Sequence, residues 1–245
     1  MNRRCVAHNH PNKTPPEVVG KILRLRRTYH MGPLRIVWYL ERYHDIKTSD
    51  ATVYRVCRRH GLRRFPQRVG RRAVHTHRYE KQVPGHHVQV DVKFLTLQRN
   101  QGAPVRRYQY TAIDDATRVR ALKVYRRHTQ KNAIDFINYV VEKFPFRIRT
   151  IRTDRGHEFQ ALFQWHIADL GMEHVYIKSR TPQLNGKVER SHRTDKDEFY
   201  PLLTYRDDVD LEKKLAEWER FYNCERSHGA HRGRTPYEVL REKLQ

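Results

Sequence analysis

Three acidic residues stand out by context in a chain that is otherwise strongly basic. Asp91 sits within HHVQVDVKFLTL, flanked by Val90 and Val92, where strand propensity disfavours aspartate. Asp154 ends the run IRTD in IRTDRGHEF and is followed by a glycine-containing turn. Glu189 lies just past the polar turn TPQLNG, among Lys187, Arg190 and Arg193. A strand centre, a strand end and a helix start can converge at one edge of a sheet. Three carboxylates gathered there would offer the hard oxygen ligands that Mg2+ or Mn2+ takes. Two such ions a few ångström apart can clamp the attacking and leaving oxygens of an in-line phosphoryl transfer. Each acid alone also has a plain reading: a strand aspartate paired with arginine, an ordinary strand-to-turn aspartate, a surface helix start. The ordered set is what carries weight.

The charge around these acids points to the partner. The 245 residues carry a formal net charge of +23, unevenly spread. Residues 1–80 hold 19 Lys/Arg and 5 Asp/Glu, residues 81–190 hold 20 and 10, and residues 191–245 hold 11 and 12. A basic front and a near-neutral tail suit a polyanion, because neutralised phosphates release counterions. No amphipathic anchor, lipidation motif, apolar signal core or membrane-length apolar run is present, so the expectation is a cytoplasmic, DNA-bound protein with neither a membrane nor a small-molecule substrate. Cys5, Cys57 and Cys224 are too few and too far apart for a disulfide framework. Cys5, His8 and His10 have spacings a metal could use, but the next cysteine is distant, and a basic tail over 1–13 is the better reading.

The elements that must position the acids follow from periodicity. HHVQVDVKFLTL alternates, with Val88, Val90 and Val92 on one face and Gln89, Asp91 and Lys93 on the other. RRYQYTAIDDATRVRALKVY reads as two further strands joined by a turn at Asp114 to Thr117. TQKNAIDFINYVVEKF places Ala133, Phe136, Ile137, Val140 and Val141 at helical spacing. FRIRTIRTDRG is then a strand, EFQALFQWHIADLG a helix, EHVYIKS a strand, and a helix runs from Lys187. This order predicts a mixed α/β sheet covered by helices. In DLEKKLAEWERFYN, Leu211, Leu215, Trp218 and Tyr222 form a final apolar stripe.

Ahead of that core, three short helices are expected. Thr14 can cap the first, with Pro15 at its first position, Glu17 completing a capping box, and Val18, Ile22 and Leu25 inward. PLRIVWYLERYH forms the second, with Ile36, Val37 and Leu40 inward. Ser49 can cap the third, Val53, Val56 and Cys57 face inward, and Gly61 can end it in a left-handed turn. The set resembles a helix-turn-helix module, in which Thr52 and Arg55 would reach base edges while Arg58 and Arg59, with Arg63 and Arg64 beyond the helix, would meet backbone phosphates. A small helical bundle with a solvated arginine face is the plain alternative. The expected division is a helix-turn-helix domain over 14–61, a basic linker over 62–84, a catalytic core over 85–200 and a helical segment over 201–245.

QVDVKFL, YTAIDDATR, IRTDRGHEF and SRTPQLNGKVERSHRT occur in the order found in the DDE transposases of bacterial insertion sequences and in retroviral integrases. The tail FYNCERSHGAHRGRTPYEVL resembles the Asn-x-x-Arg-x-His and Thr-Pro ending of the transposases. Thirty-four residues separate Asp154 from Glu189, close to that family's spacing. The resemblance implies a ribonuclease-H-like fold, with Asp91, Asp154 and Glu189 as the metal-binding triad and two Mg2+ or Mn2+ ions per site. Asp114 and Asp115 match acids of the next strand and are read as structural or as supporting the triad from behind. The implied activity is cleavage and strand transfer at the terminal inverted repeats of a mobile element, by an assembly of at least two chains in a bacterial cytoplasm. A DNA-binding regulator with an idle site, or a metal-dependent nuclease that cuts without joining, would share most of these features. Lys178, Arg180, Lys187, Arg190 and Arg193 would grip phosphates, although Arg193 could instead pair with Glu189 one helical turn away. His157, His192 and His228 could neighbour the site, but among 16 histidines chance placement is the default.

Overall fold

A computed structural model of the chain describes residues 13–62, 82–97, 104–177 and 185–245. The chain divides into two compact units, 1–72 and 73–245.

The first unit contains three helices, α1 (Pro16–Thr28), α2 (Pro33–His44) and α3 (Asp50–Arg59). Ile22, Leu25, Ile36, Leu40, Val53, Val56 and Cys57 close a small apolar core. Ser49 caps α3 by accepting from the Thr52 amide, and Gly61 takes φ +72 beyond its end. The start of α1 differs from expectation. Pro15 is the N-cap, with no side-chain cap, and Pro16 occupies the first turn, so Thr14 is left outside. Proline at this point costs nothing, because the first helical amides have no partner in the helix.

In the second unit a five-stranded sheet has the order β3-β2-β1-β4-β5. Strands β1 (Val88–Leu97), β2 (Val105–Asp114) and β3 (Arg120–Tyr125) form an antiparallel meander, while β4 (Thr150–Thr153) and β5 (Glu173–Tyr176) run parallel to β1. Helices α4 (Gln130–Lys143) and α5 (Leu162–Asp169) contribute Phe136, Ile137, Val140, Phe163 and Ile167 to a core with Val88, Val90, Tyr110, Ala112 and Ile151. A second cluster joins Leu95, Leu97, Leu122 and Val124 to Leu211, Leu215 and Trp218 of α7 (Asp208–Cys224). The sheet is therefore sandwiched, as expected for a ribonuclease-H-like core. Val141, expected inward, is 43% exposed, because the buried stripe of α4 is narrower than its apolar pattern.

The expected strand from Phe146 is only four residues long. The chain before it is drawn against Gly85 instead: the Arg149 amide donates to the Gly85 carbonyl at 2.8 Å. Gly85 has φ +76, and a Cβ there would lie 2.1 Å from the Arg147 carbonyl oxygen, so no other residue fits.

The segment after 200 completes the same unit. β3 is an edge strand, and α7 covers it. Asn223 accepts from the Arg120 amide at 3.0 Å and donates to its carbonyl at 2.8 Å, while Glu219 accepts from the Leu122 amide. Side chains thus satisfy backbone groups that an open edge would leave unpaired. Helix α8 (Pro236–Leu244) begins with a complete capping box between Thr235 and Glu238.

Candidate active site

Asp91 lies in the middle of β1, and β4 is the parallel neighbour with Val88 opposite Ile151 and Gln89 opposite Arg152. Continuing that register by two residues sets Asp154, the first residue past β4, beside Asp91. Parallel strands lie about 4.8 Å apart, so two carboxylates arrive at one place. Asp154 is exposed, and its Oδ1 accepts from the Gly156 amide at 3.0 Å, which folds the following turn back onto it.

Glu189 is brought in by helix α6 (Gly186–Thr194). Gln89, two residues before Asp91 on the same face, accepts from the Val188 amide at 3.2 Å and donates to Asp115 at 3.0 Å. Lys187 Nζ lies 2.6 Å from Asp115 Oδ1, and Lys93 Nζ donates to the His192 carbonyl at 2.9 Å. These contacts seat α6 across β1 and β2, with Val188 buried beneath and Glu189 exposed.

Asp91 feels the charge of its acidic neighbours. Asp91 is pushed up to about 7, first by burial and then by the negative charge of Asp154. Glu189 and Glu158 push in the same direction, and the Val92 amide, donating to Asp91 Oδ1 at 2.9 Å, opposes them. Carboxylates crowded to this extent repel, which a shared dication would reverse. Among the described residues, the ligating oxygens of the three do not all lie within 4.8 Å of one another. The donor set, all carboxylate oxygen, suits a hard cation such as Mg2+.

Other expected contacts fall variously. Arg190 and Arg193 are exposed beside Glu189. Lys187, expected to meet phosphate, is committed to Asp115, with only 14% of its side chain exposed, and ties α6 to the sheet. Asp114 accepts from the amides of Gly85, Ala116 and Thr117 and from the Thr117 hydroxyl, while Asp115 meets Gln89 and Lys187 behind α6. On α3, Arg55, Arg58 and Arg59 are exposed, and Arg55 donates to Thr52 Oγ1 at 3.3 Å. Arg63, Arg64, Lys178 and Arg180, with the tail 1–12 and linker residues 63–81, lie outside the described residues.

Sequence reasoning did not single out Gln89, His128 or Glu158, and gave His192 no more than chance. His192 Nδ1 lies 3.5 Å from Asp91 Oδ2, and its Nε2 is 3.0 Å from Thr111 Oγ1. Burial holds its pKa down to about 4, so it faces Asp91 as a neutral ring. A helical signal was available: His192 lies three residues after Glu189, on the same side of α6.

Residues 81–182 and residues 170–236 each match an integrase core domain family. The putative integrase ORF3 of Spiroplasma virus SpV1-C74 is 31% identical over 54% of this chain and 41% of that protein, so under half of that relative's length is matched. The retrovirus-related Pol polyprotein from transposon RE1 of Arabidopsis thaliana is 34% identical over 36% of this chain and 6% of its own length. Among solved structures, the simian T-cell lymphotropic virus intasome in complex with PP2A regulatory subunit B56 gamma aligns with a TM-score of 0.54 at 18% identity, covering 89% of this chain and 73% of that one. The HTLV-2 integrase catalytic core domain in complex with magnesium (dimeric form) gives 0.51 at 16% identity, covering 64% and 97%. The likeness to these two structures is one of fold. Residues 81–236 thus match integrase core domain models, and these matches with the fold support a protein similar to the DDE transposases and integrases.

Proposed function

We propose that the protein is a DDE transposase that binds the ends of a mobile element and performs metal-dependent DNA cleavage and strand transfer. The observation that carries this reading is geometric: the β1–β4 register sets Asp154 beside Asp91, and Gln89 seats the helix that bears Glu189 over the same strand, where burial and these charges raise the affinity of Asp91 for its proton. Such crowding of acids costs stability, and a protein keeps it where function uses the charge.

Asp91, Asp154 and Glu189 would hold the divalent ions, which when bound supply Lewis-acid polarisation of the scissile phosphate and activation of the attacking oxygen. Asp91 is held by β1 and by the Val92 amide, and Asp154 by its turn, so both are positioned before substrate arrives. Arg190 and Arg193 flank Glu189 and would contact phosphates on either side of the cut, setting the register of the strand. The attack is direct, by water in cleavage and by a 3′-hydroxyl in transfer, so no side chain needs to become bonded to DNA.

The three N-terminal helices would act as a helix-turn-helix, with α3 in the major groove. Its apolar side is buried and its arginines face outward, and the Arg55–Thr52 contact pre-orients the pair that would read bases. Uniting two element ends calls for at least two chains, and the HTLV-2 core, a relative in fold, is known in a dimeric form.

Single replacements Asp91→Asn, Asp154→Asn and Glu189→Gln test the reading with an end-labelled element terminus and a target plasmid. Each should lower cleavage and joining by at least about 10²–10³-fold while DNA retention in a gel stays unchanged. Normal strand transfer by any of them would overturn the triad.

A further inference from the structure

On the other side of the Asp154 turn lies a second group of metal-type side chains. His128 precedes α4, and His157 and Glu158 form the single turn between β4 and α5. The ligating atoms of these three residues all lie within 4.8 Å of one another. We propose that His128, His157 and Glu158 bind one Zn2+ ion, at a site separate from the acidic triad.

The donors lie near the spacing zinc requires. His128 Nε2 is 2.8 Å from Glu158 Oε1, and His157 Nδ1 is 3.5 Å from Glu158 Oε2. Ligands of a tetrahedral zinc with bonds of about 2.0–2.1 Å stand roughly 3.3 Å apart, so small shifts would admit the ion. Glu158 is a buried acid, with 4% of its side chain exposed, and its Oε2 makes no hydrogen bond. His128 Nε2 is also buried and makes no hydrogen bond, despite its closeness to the carboxylate. Buried polar atoms are rarely left so, and Glu158 Oε2, facing His157 Nδ1 at 3.5 Å, points to a missing partner between them.

The surroundings favour coordination as well. His157 Nε2 lies 3.3 Å from the His128 carbonyl, which it can reach only as a donor. That hydrogen bond fixes the tautomer whose Nδ1 lone pair faces Glu158, the outer-sphere arrangement usual for zinc-binding histidine. His128 is held by stacking on Tyr108 and by the edge of Phe94. Glu158 is folded under Gly156, where a Cβ would come within 2.4 Å of its carboxylate, so glycine makes room for the acid. His157 is 67% exposed, which leaves a water-accessible fourth position. Two imidazoles and one carboxylate suit Zn2+ better than Mg2+, which takes oxygen. Bound there, the ion would link the loop before α4 to the turn that carries Asp154, and so act as a structural pin beside the triad.

Cobalt(II) titration of the chelator-stripped full chain tests this, since tetrahedral cobalt absorbs strongly in the visible and zinc displaces it. Wild-type protein should bind one cobalt with that band. His157→Ala, at an exposed position, and His128→Gln should each weaken binding by at least about 10–100-fold. The triple variant Asp91→Asn, Asp154→Asn, Glu189→Gln should retain the band, so the result stands apart from the fate of the transposase reading. Absence of the band in wild type, its persistence in His157→Ala, or its loss in the triple variant would overturn the site.

Discussion

Asp91 carries the most informative chemistry of any single residue. Its folded pKa of about 7 lies above the ordinary aspartate value, so the folded state binds this proton more tightly than the unfolded state. The stability it contributes in metal-free solution is full below the unfolded value and is lost as pH rises through about 7. A dication competes with that proton. The gain in melting temperature on adding Mg2+ should therefore be larger at pH 8 than at pH 6, and Asp91→Asn should abolish the difference; differential scanning fluorimetry at the two pH values checks both. The residue types of the triad were legible because an acid in the middle of a β pattern, or alone in a basic stretch, is anomalous in one dimension. Gln89, His128, Glu158 and His192 were not, because their meaning lies in partners 26 to 101 positions away or in a turn whose path no pattern predicts.

At the scale of elements, α6 is fixed by more than the contacts that aim Glu189. Arg120 of β3 and Asp195, just past α6, are both fully buried and meet at 2.7 Å. Asp195 also accepts from Trp218 at 2.7 Å and from Gln109 at 2.9 Å, and Arg120 lies over the Tyr222 ring at 3.4 Å. Asp195→Asn would strand the arginine charge in the interior and should cost about 3–5 kcal/mol in urea denaturation. Glu225→Gln, which breaks the exposed pair with Arg220, should cost about 0–1 kcal/mol in the same experiment. Nothing in the sequence pattern announces that Arg120 is interior, since a buried arginine needs its anion and the two are 75 positions apart. The helices were easier to read, because Ser49, Gly61 and the Leu211–Tyr222 stripe act locally. The tail motif was legible only as a resemblance; its role as a clasp emerges from Asn223 on the edge of β3, Arg226 paired with Glu198, and Thr235 capping α8.

For the molecule as a whole, the proposal separates recognition from chemistry. If α3 binds DNA, Arg58→Ala and Arg59→Ala should each weaken binding to all sequences and lower the slope of log K against log salt by about 1, whereas Arg55→Ala should also relax sequence preference. Fluorescence anisotropy over a salt series distinguishes these outcomes. The overall sheet and its order of elements were legible because alternation and helical spacing survive in one dimension, while the boundary behaviour at Pro15 and Phe146 depended on neighbours elsewhere in the fold. The central claim remains that Asp91, Asp154 and Glu189 chelate shared ions. Anomalous diffraction from crystals grown with Mn2+ tests it directly. The account predicts manganese density ligated by oxygens of all three carboxylates at about 2.1 Å; manganese bound elsewhere, with one of the three turned away from it, would contradict it.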